Sequence, residues 1–367
     1  MVDFQQFMTK IINSLYQMRL FSEDELASRT GMGLEEAKIA FRQYVLESGL
    51  MPLPSINFSA LGMKEVRVFM DFQCSAIDAI PMIMLSFRER GFLVSYYRVM
   101  HACRYVTRHA VPLNLVKSYE EFLGELVELG YLRNFEIKYM DASYRFSPSP
   151  YVFDYRRGEW NVVSVSNVED RSLPAFKTER FPNLDEVDIK ILVGLKRHPL
   201  QKRENLASSL GLTLEQVNEH LLDHVIGGDL IKGWYLYFGP KFNERDVLLI
   251  GAYFQDVGDN GALSEVLRLP YLIFLGRAPD WVESVNVVPG YRITSVLEAL
   301  ERIMRKSRSC EYLAYISPFY DLDALSSNTG STFLENNFAD GQWTFYPEML
   351  LDDIRTSVRL GRKGYQS

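Results

Sequence analysis

The chain has 367 residues, of which 47% are hydrophobic and 24% charged, a composition typical of globular rather than disordered proteins. It contains no run of about eighteen apolar residues, and its amphipathic N-terminus lacks the apolar core of a secretory signal, so neither a membrane-spanning helix nor secretion is predicted. Three scattered cysteines have no disulfide or metal-ligand pattern, which favours a cytoplasmic location. The net charge of −7 gives the whole chain no attraction to nucleic acid, so DNA binding would require a local basic face.

An internal repeat organises the sequence. Residues 25–31 read ELASRTG and residues 205–211 read NLASSLG, an offset of 180 that continues into the residues that follow. Much farther on, Gly158-Glu159-Trp160 has a counterpart in Gly341-Gln342-Trp343. Similar offsets at both ends of a long stretch predict two copies, at about 1–165 and 184–350, and such a repeat sets the architecture of the chain.

The first copy opens with three predicted helices. A helix over 3–20 is followed by a short helix that Ser22 caps, and the third helix runs from Gly33 to Ser48. The periodicity then changes to strands alternating with helices. The predicted order is strand 66–72, helix 77–90, strands 92–99 and 102–109, helix 117–129 and strand 131–140. This β-α-β-β-α-β order is that of a ferredoxin-like domain, in which two helices back a four-stranded sheet.

The second copy repeats this plan after a charged, proline-containing linker. Asp185 precedes a helix that Pro199 ends, a short helix finishes at Gly211, and Thr213 caps a third helix with Gln216 as its capping-box partner. A short helix, a tight glycine turn and a capped helix are typical of a helix-turn-helix. The remaining predicted elements are a wing at 231–238, strand 247–254, helix 261–268, strands 271–275 and 282–287, helix 293–306 and strand 312–316.

The sequence therefore predicts an α+β fold made of two tandem copies of a winged helix-turn-helix followed by a ferredoxin-like domain. The predicted domains are a first helix-turn-helix at 1–60, a first ferredoxin-like domain at 61–165, a linker at 166–183, a second helix-turn-helix at 184–243, a second ferredoxin-like domain at 244–350 and a basic tail at 351–367.

The second helix-turn-helix carries a recognisable pattern. It consists of Leu184-Asp185-Glu186-Val187-Asp188-Ile189-Lys190-Ile191-Leu192, then Leu206-Ala207, then Gly211-Leu212-Thr213. This pattern resembles that of the Lrp/AsnC (feast/famine) transcriptional regulators. The resemblance implies a cytoplasmic, non-enzymatic regulator whose partners are double-stranded DNA, a small-molecule effector sensed by the α/β domain, and a second copy in a homodimer. A chain with two copies would also be a built-in pseudo-dimer.

Siroheme decarboxylases are similar to the same regulators, as paired or fused units of helix-turn-helix and ferredoxin-like domains. They place a Trp-x-Tyr-Asn segment and histidines near the tetrapyrrole. The sequence has no such segment, and His101 within Val-Met-His-Ala is the nearest fragment. An enzyme of this class is therefore the alternative function. No Walker-type loop or Gly-x-Ser-x-Gly motif is present and no carboxylate pair stands out for hydrolytic or transfer chemistry, so no catalytic residue, metal or cofactor is predicted.

The candidate DNA-contacting residues are polar and basic side chains of the helix-turn-helix domains and the tail. Asn218 and Gln216 could read adenine, and Lys38 or Arg42 could reach a guanine or a phosphate. The second helix of a docked helix-turn-helix crosses the phosphate backbone, which makes the basic residues around its start candidates as well. The complete set is Lys38, Arg42, Lys196, Arg197, Lys202, Arg203, Thr213, Gln216, Asn218, Arg359, Arg362 and Lys363.

Carboxylates on the same helices oppose this interpretation. Glu35 and Glu36 lie in the first copy and Glu215 and Glu219 in the second, and carboxylates facing phosphates are repulsive. A third function therefore stays open, that of a non-catalytic scaffold whose helix-turn-helix units bind protein.

Other residues have structural interpretations. His220 and His224 have the i, i+4 spacing of zinc ligands, but no third ligand is evident nearby, so two polar side chains on a helix face are expected. Trp160 and Trp343 are expected to pack against their own α/β domains. The C-terminal residues are expected to form either a flexible arm that embraces DNA or a disordered tail.

Overall fold

The computed structural model describes residues 4–73, 79–99, 103–161, 171, 173, 175–176, 178–238, 247–255, 262–306, 312–318 and 332–363. The chain divides into two compact units that interleave along the sequence. The first unit comprises Met1–Asn57, Asp141–Phe176 and Ile231–Phe319, and the second comprises Phe58–Met140, Lys177–Leu230 and Tyr320–Ser367. Each unit thus combines the helix-turn-helix of one repeat with the ferredoxin-like sheet of the other, within the α+β fold that the sequence predicts.

Elements of the described residues are numbered in chain order. The helices are α1 (Phe4–Gln17), α2 (Glu23–Thr30), α3 (Leu34–Phe41), α4 (Ile80–Arg90), α5 (Val116–Glu128), α6 (Glu186–Arg197), α7 (Arg203–Leu210), α8 (Leu214–Glu219), α9 (Ala262–Leu267), α10 (Ile293–Lys306), α11 (Thr332–Asn336) and α12 (Pro347–Lys363). The strands are β1 (Leu50–Ile56), β2 (Met63–Phe72), β3 (Leu93–Arg98), β4 (Arg104–Pro112), β5 (Leu132–Met140), β6 (Ala142–Arg145), β7 (Phe153–Asp154), β8 (Glu159–Trp160), β9 (Ile231–Phe238), β10 (Val247–Gln255), β11 (Leu272–Arg277), β12 (Trp281–Pro289), β13 (Tyr312–Pro318), β14 (Phe338–Ala339) and β15 (Gln342–Trp343).

The third helix of each helix-turn-helix changes its winding partway along. α3 continues as a π-helical turn over Arg42–Leu46, and α8 continues as one over His220–Ile226. The sequence predicts a single α-helix in both places, because buried residues such as Val217, Leu221 and Val225 keep an i, i+4 spacing into the π-helical turn. The structure corrects this point in both repeats.

The first unit joins the two repeats by strand pairing. β1 follows the first helix-turn-helix and pairs antiparallel with β9, which follows the second in the chain, with Leu53 opposite Tyr235. The described strands also form a five-stranded antiparallel sheet in the order β13-β10-β12-β11-β6. Its four ferredoxin-like strands come from the second repeat, and its edge strand β6 comes from the first.

The second unit contains an antiparallel sheet in the order β3-β4-β2-β5, which is the ferredoxin-like arrangement. On the helix-facing side of β4, His109 is fully buried. Its Nδ1 lies 3.0 Å from the Gly91 carbonyl oxygen and 2.7 Å from the Tyr119 hydroxyl, and its Nε2 lies 2.8 Å from Thr107 Oγ1. Burial lowers the His109 pKa to about 3, so the imidazole is neutral at ordinary pH.

The two repeated tryptophans contact both repeats: within its own repeat, Trp160 lies 5.3 Å from the Phe153 ring and Trp343 lies 4.6 Å from the Phe338 ring. Trp160 contacts Phe238 and Tyr271 of the second repeat, at ring-centroid distances of 5.7 Å in both cases. Trp343 donates its Nε1–H to the Leu61 carbonyl oxygen of the first repeat at 2.8 Å. Both are buried, as expected, and their contacts with the other copy arise because each compact unit is assembled from segments of both repeats.

Residues Pro347–Lys363 form a helix, which corrects for this segment the expectation of a flexible arm or a disordered tail. Leu350, Ile354 and Val358 of α12 follow helical spacing and are buried. α12 packs on α4, where Arg90 Nε lies 2.8 Å from Asp353 Oδ2. None of the described helices combines the length and the apolar composition that crossing a bilayer requires.

Candidate nucleic-acid interface

Each unit contains one helix-turn-helix with a buried apolar centre. In the second unit, Leu192 of α6, Leu206 of α7 and Val217 of α8 are buried where the three helices contact one another. Gly211 at φ 67° ends α7, and its N–H donates to the Ala207 carbonyl oxygen. This left-handed conformation favours glycine, as the sequence predicts. The packing of these three helices leaves one face of α8 exposed to solvent. DNA binding through α8 would require such an exposed face.

Two predicted groove-contacting residues cap α8. Gln216 Oε1 accepts a hydrogen bond from the Thr213 N–H at 2.9 Å, and Thr213 Oγ1 accepts one from the Gln216 N–H at 3.1 Å. This is the capping box that the sequence predicts. Both side chains are exposed, but contact with a base would take them away from the helix N-terminus.

A polar and basic surface lies beside that cap. Lys202 immediately precedes α7 and Arg203 begins it, and both are exposed. Arg203 Nη1 donates a hydrogen bond to Asn218 Oδ1 at 2.9 Å. We call Lys202, Arg203 and Asn218 the basic corner. The structure thus brings three predicted residues together at the start of the second helix, where helix-turn-helix proteins meet the phosphate backbone.

Arg197 and Lys196, two further predicted cations, both have interaction partners within the protein and are not counted in the basic corner. Arg197 Nη2 lies 2.6 Å from Glu335 Oε2 of α11 within the second unit, and both side chains are partly buried. Arg197 is therefore an ion-pair partner in this structure, and its contact with phosphate stays a prediction. Lys196 is half-buried and also makes an interaction of its own.

The matching surface of the first unit pairs its cations with carboxylates. Lys38 Nζ lies 2.9 Å from Glu35 Oε1, and this hydrogen bond raises the Lys38 pKa. Arg42 Nε lies 3.6 Å from Glu47 Oε1. Ile39, between these two cations in sequence, is 62% exposed. The outward face of α3 is therefore charge-compensated and partly apolar, unlike the basic corner.

The remaining predicted cations lie on α12. Arg359 is exposed on this helix. Arg362 and Lys363 also lie within α12, but their side chains are outside the described part of the structure. These residues belong to a packed helix, so they cannot wrap around DNA in the manner of an unstructured arm.

Exposed carboxylates accompany the recognition helices of both units. Glu215, Glu219 and Asp223 lie on α8 and the turn that follows it, and Glu35 and Glu36 lie on α3. Since repulsion by these groups limits how many phosphates can approach, any DNA contact would be small and centred on the basic corner.

The structure adds partners to the two histidines that share the spacing of metal ligands. His220 Nδ1 lies 2.9 Å from Asp188 Oδ1, and His224 Nδ1 lies 3.0 Å from the same oxygen. Asp188 is fully buried, and burial raises its pKa, while hydrogen bonds from the histidines lower it. Sequence reasoning misses Asp188 because it precedes the histidines by more than thirty residues.

A second group missed from the sequence lies on the sheet of the second unit. Lys138, Arg67 and Arg108 stand directly opposite one another across β5, β2 and β4. Arg67 is fully buried, and the buried Arg108 pairs with Glu65 at 3.3 Å. Like charges placed opposite one another destabilise a sheet, so this cationic row is an unusual feature. Only strand pairing reveals it, because its members are far apart in sequence.

Comparison with known proteins identifies the fold. No family model and no curated protein matches the chain. The solved structure of siroheme decarboxylase NirDL in complex with an iron-uroporphyrin III analogue matches with a TM-score of 0.51 and 11% identity, over 86% of this chain and 90% of that one. NirDL alone matches with a TM-score of 0.50 and 12% identity, over 85% and 90%. An AsnC family transcriptional regulator from Agrobacterium tumefaciens matches with a TM-score of 0.28 and 14% identity, over 36% of this chain and 88% of its own.

Proposed function

We propose that the chain binds duplex DNA through the helix-turn-helix of its second unit and acts as a transcriptional regulator. The observation that carries this proposal is the basic corner, in which exposed Lys202 and Arg203 begin the second helix and Arg203 donates a hydrogen bond to Asn218 of the third. Two cations there can neutralise phosphates, and Asn218 has the side chain that reads adenine. Effector sensing by the α/β domains belongs to the same proposal.

The charges on the exposed surface of the second helix-turn-helix determine how strongly DNA affinity should depend on salt. Because few cations face outward and carboxylates flank them, we expect only two or three phosphates to be neutralised. The logarithm of the affinity should then fall with the logarithm of salt concentration with a slope of roughly −2 to −3. Binding of this kind is best measured at low salt with a fluorescent duplex.

A pair of double variants tests the proposal. Lys202→Glu with Arg203→Glu should reduce duplex affinity at least tenfold, because repulsion replaces two phosphate contacts. Lys38→Glu with Arg42→Glu in the first unit makes the same charge change and serves as the matched control, with an expected change of less than about twofold. Fluorescence anisotropy at several salt concentrations measures both. Equal losses in the two variants, or no duplex binding by the native chain at low salt, would reject the proposal.

The cationic row favours a second candidate function, that of binding a polycarboxylate tetrapyrrole and acting as a decarboxylase. NirDL, which shares the fold over most of both chains, is a siroheme decarboxylase solved with an iron-uroporphyrin III analogue. A substrate bearing several carboxylates would add to the compensation that Glu136 gives Lys138 at 3.0 Å and Glu65 gives Arg108 at 3.3 Å. His101, the histidine nearest to the pattern of those enzymes, lies outside the described residues.

Absorption spectroscopy separates this function from the first. If the chain binds iron-uroporphyrin III, its Soret band should shift saturably, and Arg67→Gln should weaken binding at least about tenfold through loss of a buried charge-assisted contact. Lys117→Gln, which changes an exposed lysine of the same unit outside the row, is the control and should leave the titration unchanged. An unaltered Soret spectrum with the native chain would exclude the second function without affecting the first.

A further inference from the structure

Four side chains able to ligate a metal meet in the helix-turn-helix of the second unit. Asp185 caps α6 and Asp188 lies in its first turn, while His220 and His224 lie on the π-helical turn after α8. We call these four residues the His–Asp cluster. His220 Nδ1 is 3.7 Å from Asp185 Oδ1, in addition to its contact with Asp188. One ligand atom from each residue lies within 4.8 Å of all the others.

This spacing suits a tetrahedral ion. Nitrogen and oxygen ligands lie about 2.0–2.2 Å from zinc, which places them roughly 3.3–3.6 Å from one another in a tetrahedron. The separations of 2.9, 3.0 and 3.7 Å that join Asp188 and Asp185 to the histidines therefore need only small side-chain adjustments, and no two of the four ligand atoms lie farther apart than 4.8 Å. Two imidazole nitrogens and two carboxylate oxygens also form a donor set that zinc accepts.

Burial and charge point the same way. The Asp188 side chain is completely buried, whereas the side chains of His220 and His224 are 14% and 22% exposed, so an ion can reach the cluster from solvent. The histidines bring positive charge to the buried carboxylate only when they are protonated. A divalent cation would supply that charge permanently and offset the cost of burying the carboxylate.

The first repeat shows that a helix-turn-helix of this kind forms without the cluster. The positions 180 residues earlier are occupied by Gln5, Met8, Ala40 and Tyr44. The three helices still form there, and the third still ends in a π-helical turn. The π-helical turn is therefore common to both repeats, while the His–Asp cluster is specific to the second. Asp185 and Asp188 also form the capping box of α6, whereas His220 and His224 take no part in that box.

We propose that the His–Asp cluster binds one divalent transition-metal ion of the zinc class and thereby ties the first helix of this helix-turn-helix to the turn that ends the third. Such a link would hold α8, and the basic corner beside it, in a fixed position. The proposal concerns metal binding alone and does not depend on whether the surface contacts DNA.

The test uses the full chain after removal of metals with a chelator. Zinc chloride titrated calorimetrically should bind with a stoichiometry of one and raise the unfolding temperature. A repeat-matched variant, Asp188→Met with His220→Ala and His224→Tyr, gives the second repeat three of the residues found in the first, so it should fold and lose the zinc signal. The control is His198→Ala, which removes an exposed histidine outside the cluster and should bind zinc as the native chain does.

Single variants exclude a non-specific explanation. His220→Ala and His224→Ala should each lower zinc affinity at least about tenfold, since even residues that only support metal ligands commonly matter that much. Circular dichroism of the metal-free variants verifies that they fold. The proposal fails if the native chain takes up no stoichiometric zinc, or if zinc binds the repeat-matched variant as tightly as the native chain.

Discussion

Replacing Gly233 with alanine is expected to destabilise the first unit severely. Gly233 lies on β9 at φ +155°, and a Cβ there would come within 2.2 Å of the Tyr16 carbonyl oxygen and 2.8 Å of its carbonyl carbon. Both atoms belong to the backbone of α1, which cannot rotate away as a flexible side chain could. We expect a loss of about 3 kcal/mol or more in the free energy of unfolding, a large part of the stability of an ordinary domain.

Urea denaturation followed by circular dichroism measures this loss, and Gly31→Ala is the matched control in the same unit. Gly31 has a φ of +74°, but a Cβ there would meet no atom within 4 Å. Its replacement therefore isolates the cost of a left-handed backbone, about 1–2 kcal/mol. Should the two variants lose the same stability, the close approach of β9 to α1 would not be what requires glycine at position 233.

Local chemistry explains why so many elements could be predicted from the sequence. A capping serine, a left-handed glycine and a capping box each act within a few residues, so Ser22, Gly211 and the Thr213–Gln216 pair are readable without a structure. The helical and strand periodicities act over similar distances and predict the order of elements in both sheets. The repeat then extends each local assignment from one copy to the other.

Partners distant in sequence could not be predicted in this way. β1 pairs with β9, and Trp160 and Trp343 each contact the other repeat, because the compact units exchange segments between copies. A repeat predicts that two halves resemble each other but not which half supplies each partner. For the same reason, the contact between Asp188 and His220 could not be predicted from the sequence. The cationic row could not be predicted either, because its members become neighbours only through strand register.

In the candidate DNA surface, the sequence identifies the cations but not the carboxylates that pair with them. Residue type alone selects Lys38, Arg42 and Arg197 as phosphate ligands. The structure pairs each of them with a carboxylate, and for Arg197 the partner is Glu335, far away in the sequence. What remains is the basic corner, so the proposed DNA contact depends on one of the two helix-turn-helix units rather than on a symmetric pair.

Acidification is expected to destabilise the second unit through His109. Burial lowers the folded-state pKa of this imidazole to about 3, against an ordinary value of 6.5. Below pH 6.5 the unfolded chain therefore binds a proton that the folded chain does not. The contribution of the neutral His109 to the free energy of unfolding is complete above pH 6.5. It declines by about 1.4 kcal/mol per pH unit as the pH falls towards 3. By pH 3, this one histidine should have lowered the free energy of unfolding by roughly 4 kcal/mol relative to its value above pH 6.5.

A His109→Asn variant separates this effect from the titration of carboxylates, which acts on both proteins alike. Asn286 occupies the corresponding strand position in the first unit's sheet, opposite Ile250 as His109 lies opposite Val66, so asparagine is compatible with such a site.

At pH 7 the variant should be less stable, because the Tyr119 hydroxyl and Thr107 lose a partner. The stability difference between the two proteins should shrink by about 3 kcal/mol between pH 6.5 and 4, measured by urea denaturation at each pH. A difference that stays constant across this range would mean that His109 does not remain neutral in the folded protein.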